Sequence, residues 1–152
     1  MATLYIPIGI LGSGKSTYGK DLSYVVENLV IVSPDKIREI LYGDASIQGD
    51  GNEVFSIAYY EAVKALKDGK NVYFDATNLT PWIRFRLYER CMYYADKIVA
   101  IEFHVSYASC LKRNNNRDRK VPKRVIKNMA SKISFIDKAV EPYINEIYKV
   151  NN

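Results

Sequence analysis

The chain has 152 residues, 48% of them hydrophobic and 26% charged. That usage excludes wholesale disorder and leads us to expect one domain over residues 1–152 with a sizeable core. No apolar run approaches the roughly 18 residues of a membrane helix, and the apolar start MATLYIPIGI lacks the basic flank of a signal peptide. The net charge of +5 is uneven: residues 1–80 carry 7 Lys and Arg against 10 Asp and Glu, residues 81–152 carry 15 against 7.

In chain order, Thr3–Ile8 is an apolar run bounded by glycine and predicts a buried strand. Lys15–Glu27 has helical composition and Leu29–Val32 reads as a second strand. Ser33-Pro34 starts a helix to Tyr42, with Ser as N-cap and Pro at the first helical position. Gly43–Gly51 is a polar loop, and Glu53–Lys67 is an amphipathic helix stopped near Gly69. Asn71–Phe74 predicts a third strand, Thr80-Pro81 opens a helix to Tyr94, and Lys97–Val105 a fourth strand. Ser106 caps a helix to Asn115, Pro122 opens another to Lys138, and Ile144–Val150 predicts a last strand. Strands alternating with helices imply an α/β/α sandwich on a parallel sheet of four to five strands with right-handed crossovers.

Gly9–Ser16 fits G-x-x-x-x-G-K-[ST] in full, after a predicted strand and at the head of a predicted helix. Gly12 and Gly14 let the backbone wrap phosphate, and the N–H groups of the turn, including that of Ser13, join the helix N-terminus in attracting an anion. Lys15 is placed for the β- and γ-phosphates and the Ser16 hydroxyl for Mg²⁺. This P-loop predicts binding of ATP or another nucleoside triphosphate. The chemistry must come from the remaining strand ends, because ligands of parallel sheets sit beyond them.

Asp35 falls in the first turn after the second strand, and Arg38, three residues on, shares its helix face. A carboxylate there can take a proton from a hydroxyl, and the Arg can hold a phosphate. Asp75 ends the third strand as a Walker B acid does, able to hold a Mg²⁺-bound water or position an acceptor. Ala76 follows it, not the second acid of a hydrolytic motor. Arg113 and Arg117, one helical turn apart, lead into Asp118-Arg119-Lys120 and suggest a lid whose guanidinium groups meet the triphosphate. The basic block Lys112–Lys127 favours a polyanionic partner.

Taken together, GILGSGKST (Gly9–Thr17), SPDKIR (Ser33–Arg38), FDATNLTP (Phe74–Pro81) and KRNNNRDRKVPKRVIKNM (Lys112–Met129) resemble the bacteriophage-type 5′-hydroxyl polynucleotide kinase domain, among the small P-loop kinases with an Asp-x-Thr-Asn strand end. The resemblance implies that Gly12, Ser13, Gly14, Lys15, Ser16 and Thr17 hold the donor ATP, with Mg²⁺ on Ser16. It implies Asp35 as general base and Arg38 on the acceptor's 3′-phosphate. Asp75, Thr77 and Asn78 would support the acceptor site. Arg117, with Arg113, would meet the donor phosphates from a lid over about residues 106–128. Asp118 stands where that pattern has Gly, and the lid is one residue shorter.

A 5′-hydroxyl nucleic acid is then the expected substrate, RNA and DNA being left open, and a ligase or a separate 3′-end phosphatase the expected pathway partner. No membrane association is expected. Two cysteines are too few for a disulfide framework or a zinc site, which places the chain in a reducing cytoplasm. Two alternatives remain from the residues: a P-loop kinase of a small metabolite such as a nucleoside or nucleotide, and a nucleotide-dependent nucleic-acid-binding module without transfer activity. His104, Cys91 and Cys110 read as structural, and Tyr59, Tyr60, Tyr93 and Tyr94 as packing residues that could also stack on bases.

Overall fold

The computed structural model describes residues 1–45, 49, 51–118 and 120–151. Five strands form one sheet in the order β2-β3-β1-β4-β5, and every neighbouring pair is parallel. They are β1 (Thr3–Ile8), β2 (Leu29–Val32), β3 (Asn71–Phe74), β4 (Lys97–His104) and β5 (Glu146–Asn151). The helices are α1 (Lys15–Leu22), α2 (Pro34–Tyr42), α3 (Gly51–Lys67), α4 (Pro81–Cys91), α5 (Tyr107–Asn115) and α6 (Lys123–Lys132).

Side-chain alternation along the strands divides the core between the two faces of the sheet. Leu4, Ile6 and Ile8 of β1 and Val72 and Phe74 of β3 pack with Val54, Ala58 and Ala62 of α3 and Leu87 and Cys91 of α4. Tyr73, between Val72 and Phe74, points the other way and packs with Val99, Ile101 and Phe103 against Tyr18 and Leu22 of α1. Gly19 lies so close to the Tyr73 ring that a Cβ would come within 2.6 Å of it. A third cluster, Ile10, Leu79, Cys110 and Ile126, ties α5 and α6 to the loops after β1 and β3.

Local signals set several boundaries. Ser33 Oγ accepts from the Lys36 N–H at 3.3 Å ahead of Pro34, and Thr80 Oγ1 does the same for Ile83 ahead of Pro81. Gly43 closes α2 in the left-handed conformation at φ 78°. Three helices are shorter than expected. α1 stops at Leu22, not Glu27: Ser23 bonds back to Gly19 and Lys20, and Tyr24 and Val25 are exposed. α4 stops at Cys91, with Met92 as C-cap.

α6 stops at Lys132, not Lys138, because the following segment is drawn onto the sheet. There the Ser134 N–H donates to Leu79 O at 2.9 Å, and the Ile136 N–H donates to the buried Glu102 carboxylate at 2.6 Å. Ile144, expected in the last strand, is a fully buried plug ahead of β5. The loop expected over Gly43–Gly51 lies partly outside the described residues.

Candidate active site

Because every strand runs the same way, the ends of β1, β2 and β3 deliver Gly9, Ser33 and Asp75 to one edge of the sheet. Two backbone bonds weld these ends together: Asp75 N–H to Val32 O at 2.8 Å and Gly9 N–H to Thr77 O at 3.2 Å. The P-loop crosses this edge with Gly12 at φ 85° and Gly14 at φ 101°, a region that favours glycine. At Gly12 a Cβ would also stand 2.8 Å from the Cys110 carbonyl oxygen, so the turn is packed against α5 as well as bent.

Above this edge lies a cavity of about 580 Å³. Of the residues singled out in the sequence, Gly12, Gly14, Lys15, Ser16, Thr17, Asp35, Arg38, Asp75, Thr77, Arg113 and Arg117 line it. Ser13 and Asn78 do not. Ser13 is fully buried behind the turn, and its Oγ has no hydrogen-bond partner among the described residues. Asn78 is buried at φ 48°, its amide reaching Pro7 O at 2.8 Å, Ala76 O at 3.1 Å and Phe74 O at 3.2 Å. It braces the loop after β3 against β1. Arg119 lies outside the described residues.

The charged groups of the cavity are held by one another and by the backbone. Lys15 Nζ donates to Ile10 O at 2.9 Å. Burial pulls its pKa down to about 8, against the opposing pull of Asp75 and Asp35. Ser16 Oγ donates to Asp75 Oδ2 at 2.8 Å. Burial raises the Asp75 carboxyl above its ordinary value, while the Ser16 hydroxyl and Lys15 pull it back. Arg38 Nη1 donates to Asp35 Oδ1 at 2.9 Å, with the Arg side chain 13% exposed and the Asp 55%. The Arg38 Nε is buried and has no partner among the described residues. Arg113 Nη1 donates to Gly12 O at 3.0 Å.

These groups fit a nucleoside triphosphate with Mg²⁺. The glycine turn curls along the cavity with its Ser13 N–H donated to Ile10 O at 3.2 Å, an ammonium sits at its floor, and a hydroxyl–carboxylate pair stands beside it, the donor set with which proteins share Mg²⁺ with phosphate. Ser16 and Asp75 are the residues that would hold the ion. Among the described residues no cluster of three His, Cys, Asp or Glu forms a separate metal site.

One side of the cavity is covered by Arg113 of α5, by Arg117, Lys120 and Val121 of the turn that follows, and by Val125 and Met129 of α6. The turn between them is closed by Asn114, which is buried. Its amide nitrogen donates to Val121 O at 2.8 Å, and its oxygen accepts from the Val121 N–H at 3.0 Å.

A supporting element escaped the sequence reading. Arg84 of α4 is fully buried and doubly bonded to Glu141, at 2.6 Å through Nε and 2.9 Å through Nη2. Its Nη1 donates to Asn78 O at 2.8 Å and Ser134 O at 2.9 Å. It thereby locks the loop that carries Asp75 and Thr77 to the segment leading into β5. The sequence held one signal: Arg84 shares the spacing of Leu87 and Cys91, so it occupies the buried stripe of α4.

The structural reading of the remaining residues agrees with the packing. His104 lies 3.0 Å from Glu102 Oε1 and stacks on Phe135 at 4.0 Å. Cys110 is buried, and burial pushes the Cys91 thiol up to about 12. Tyr59 is buried and stacked on Phe74, whereas Tyr60 and Tyr93 are exposed.

A family model described as an AAA domain matches residues 4–136. A search of curated proteins finds no significant match. Among solved structures, one titled as the Pnkp1/Rnl/Hen1 RNA repair complex aligns with a TM-score of 0.78 at 24% identity, over 86% of this chain and 43% of that one. A fungal RNA kinase aligns at 0.72 with 16% identity, over 99% of this chain and 38% of that one. A gluconokinase from Sinorhizobium meliloti aligns at 0.61 with 17% identity, over 98% and 82%. The chain thus spans less than half of the first two. No helix among the described residues is long and apolar enough to cross a membrane. With the family model covering most of the sequence and the sheet order, P-loop and helical cover in place, the chain belongs to the AAA domain family and has the P-loop kinase-like α/β fold.

Proposed function

We propose that the protein transfers the γ-phosphoryl group of ATP to the 5′-hydroxyl end of a nucleic acid, giving a 5′-phosphate end, ADP and a proton. The observation that carries this reading is the Asp35–Arg38 pair at the cavity wall. A carboxylate able to accept the hydroxyl proton stands 2.9 Å from a guanidinium that is mostly buried and whose Nε has no partner among the described residues. An acceptor with a phosphate close to its reacting hydroxyl uses both groups at once, and a 5′-terminal nucleotide has that layout.

In this reading Lys15, Arg113 and Arg117 face the donor phosphates and stabilise charge on the transferring group. Ser16 and Asp75 would hold Mg²⁺, which would supply further charge neutralisation there. Asp35 takes the proton, Arg38 holds the acceptor phosphate, and Asp75 and Thr77 shape the floor. Asn78 acts by holding backbone in place, and the Ser13 N–H closes the turn on Ile10 O. The similarity to the RNA repair complex and to the fungal RNA kinase supports a nucleic-acid acceptor. A 5′-phosphate end is what a ligase consumes, so a ligase is the proposed pathway partner.

The gluconokinase shares the fold over 82% of its length, which supports transfer to a small hydroxyl compound as the second reading. Labelled γ-phosphate separates the two. Acceptors are 5′-hydroxyl RNA and DNA oligonucleotides, a nucleoside 3′-monophosphate, free nucleosides and sugars. Label on the oligonucleotides, abolished by Lys15→Ala and Asp35→Asn with ATP binding kept in Asp35→Asn, is the expected result. Label on nucleosides or sugars alone overturns it.

A further inference from the structure

Phe55 of α3 lines two cavities. One is the active-site cavity; the other, about 570 Å³, lies between α3 and α4 and is walled by Ser56, Tyr59, Ile83, Arg86 and Arg90. No P-loop kinase motif of the sequence falls in this second cavity, yet its chemistry is distinctive.

Trp82, Arg86 and Arg90 recur at every fourth position of α4 and so share one face. Arg86 is exposed and makes no ion pair or side-chain hydrogen bond among the described residues. The Arg90 guanidinium rests over the Tyr59 ring at 4.4 Å, which orders it without cancelling its charge. Its nearest carboxylate, Glu89, is 3.9 Å away, and both side chains are open to solvent, where such a pair is weak. Trp82 is 67% exposed and backed by Phe85, with ring centroids 6.2 Å apart. One ordered and one uncommitted guanidinium beside a supported, exposed indole are elements with which proteins hold single-stranded nucleic acid.

We propose that this second cavity and the adjoining α4 face take the nucleotides that follow the reacting one, with Arg86 and Arg90 on their phosphates and Trp82 under a base. The strand enters the active site past Phe55, so that its 5′-hydroxyl reaches Asp35 and its first internal phosphate reaches Arg38. The inference rests on the polynucleotide reading above and adds to it a reason for preferring a strand over a single nucleotide.

The test compares a 5′-hydroxyl tetranucleotide with a nucleoside 3′-monophosphate as acceptors, in the wild type and in Arg86→Gln, Arg90→Gln and the double variant. Circular dichroism confirms that each variant is folded. The double variant should raise KM for the tetranucleotide about tenfold and leave its kcat alone, while both constants for the mononucleotide stay within about twofold. Losing two phosphate contacts on a single strand should also flatten the dependence of log KM on log salt by about 1.4. Arg86→Lys with Arg90→Lys should recover part of the loss, because a point charge still binds phosphate.

An unchanged KM for the tetranucleotide overturns the proposal and leaves the aromatic face to a protein partner. Equal losses on both acceptors overturn it too. A wild type that phosphorylates neither acceptor overturns the polynucleotide reading itself, and the proposal with it. A wild type active on both acceptors whose variants change nothing leaves the polynucleotide reading intact and removes only the second cavity from it.

Discussion

Lys15 should make nucleotide binding fade as the solution becomes alkaline. Burial holds its pKa at about 8 in the protein alone. A triphosphate on the P-loop opposes that effect, and the bound lysine should return toward its ordinary value of about 10.4 or higher. Binding then takes up a proton wherever free Lys15 is neutral: about three-quarters of a proton at pH 8.5 and about a tenth at pH 7. The sign follows directly. Only the protonated amine pairs with phosphate, so Kd is flat below about pH 7.5 and rises up to tenfold per unit above 8. Between pH 7 and 9.5 it should grow about 30-fold. Calorimetric titration with a non-hydrolysable ATP analogue, in buffers of different ionisation enthalpy, reads the uptake, and Lys15→Ala should abolish both uptake and slope. Uptake below about a quarter of a proton at pH 8.5, or an undiminished slope in Lys15→Ala, would refute the reasoning.

Three further outcomes are expected. Arg84→Ala leaves the buried Glu141 carboxylate without its partner and should cost about 3–5 kcal/mol, read in denaturant unfolding as a large fall in midpoint. The Arg84→Ala, Glu141→Ala double variant should cost less than the sum of the single ones, and a loss under about 1 kcal/mol for Arg84→Ala contradicts the assignment. Gly12→Ala combines φ 85° with a Cβ 2.8 Å from Cys110 O and should abolish nucleotide binding by calorimetry. Gly43→Ala, at φ 78° with nothing within 4 Å, should cost only about 1 kcal/mol and spare binding. Asn114→Ala removes two bonds to Val121 and should cost about 2 kcal/mol, increase hydrogen exchange across the α5–α6 turn and raise KM for ATP; unchanged exchange there argues against its bracing role.

The fold was legible where local chemistry decides it. β1, β2 and β3 coincide with apolar runs bounded by Gly, Asn and Asp, and α2 and α4 begin at Ser-Pro and Thr-Pro caps that the structure bears out. The P-loop was legible because its geometry needs particular residues at particular positions. What remained hidden depends on distant partners. α6 ends at Lys132 because Leu79 and Glu102 capture the next residues, and neither is near in sequence. Arg84 and Glu141 lie 57 residues apart, and nothing local marks Glu141 as the acid that will be buried. Asn78 shows the converse limit: an amide turned toward a ligand and one turned toward three carbonyls are the same letter in a sequence. The second cavity is assembled from two helices, and only their packing brings Tyr59 under Arg90.

Lys15, Arg38 and Arg113 each lean on an oxygen of the protein itself: Ile10 O, Asp35 Oδ1 and Gly12 O. These oxygens act as understudies for phosphate. They keep three cations ordered, two of which, Lys15 and Arg38, would otherwise face a poorly solvating wall, and an arriving ligand exchanges one anion-like partner for another. Measured affinity is therefore a difference between two sets of contacts. Two of the understudies are backbone carbonyls that mutation cannot erase, but the third is a side chain. Asp35→Ala should accordingly leave Arg38 readier for phosphate and tighten acceptor binding while turnover collapses, separating how well the site holds a substrate from how well it works on one.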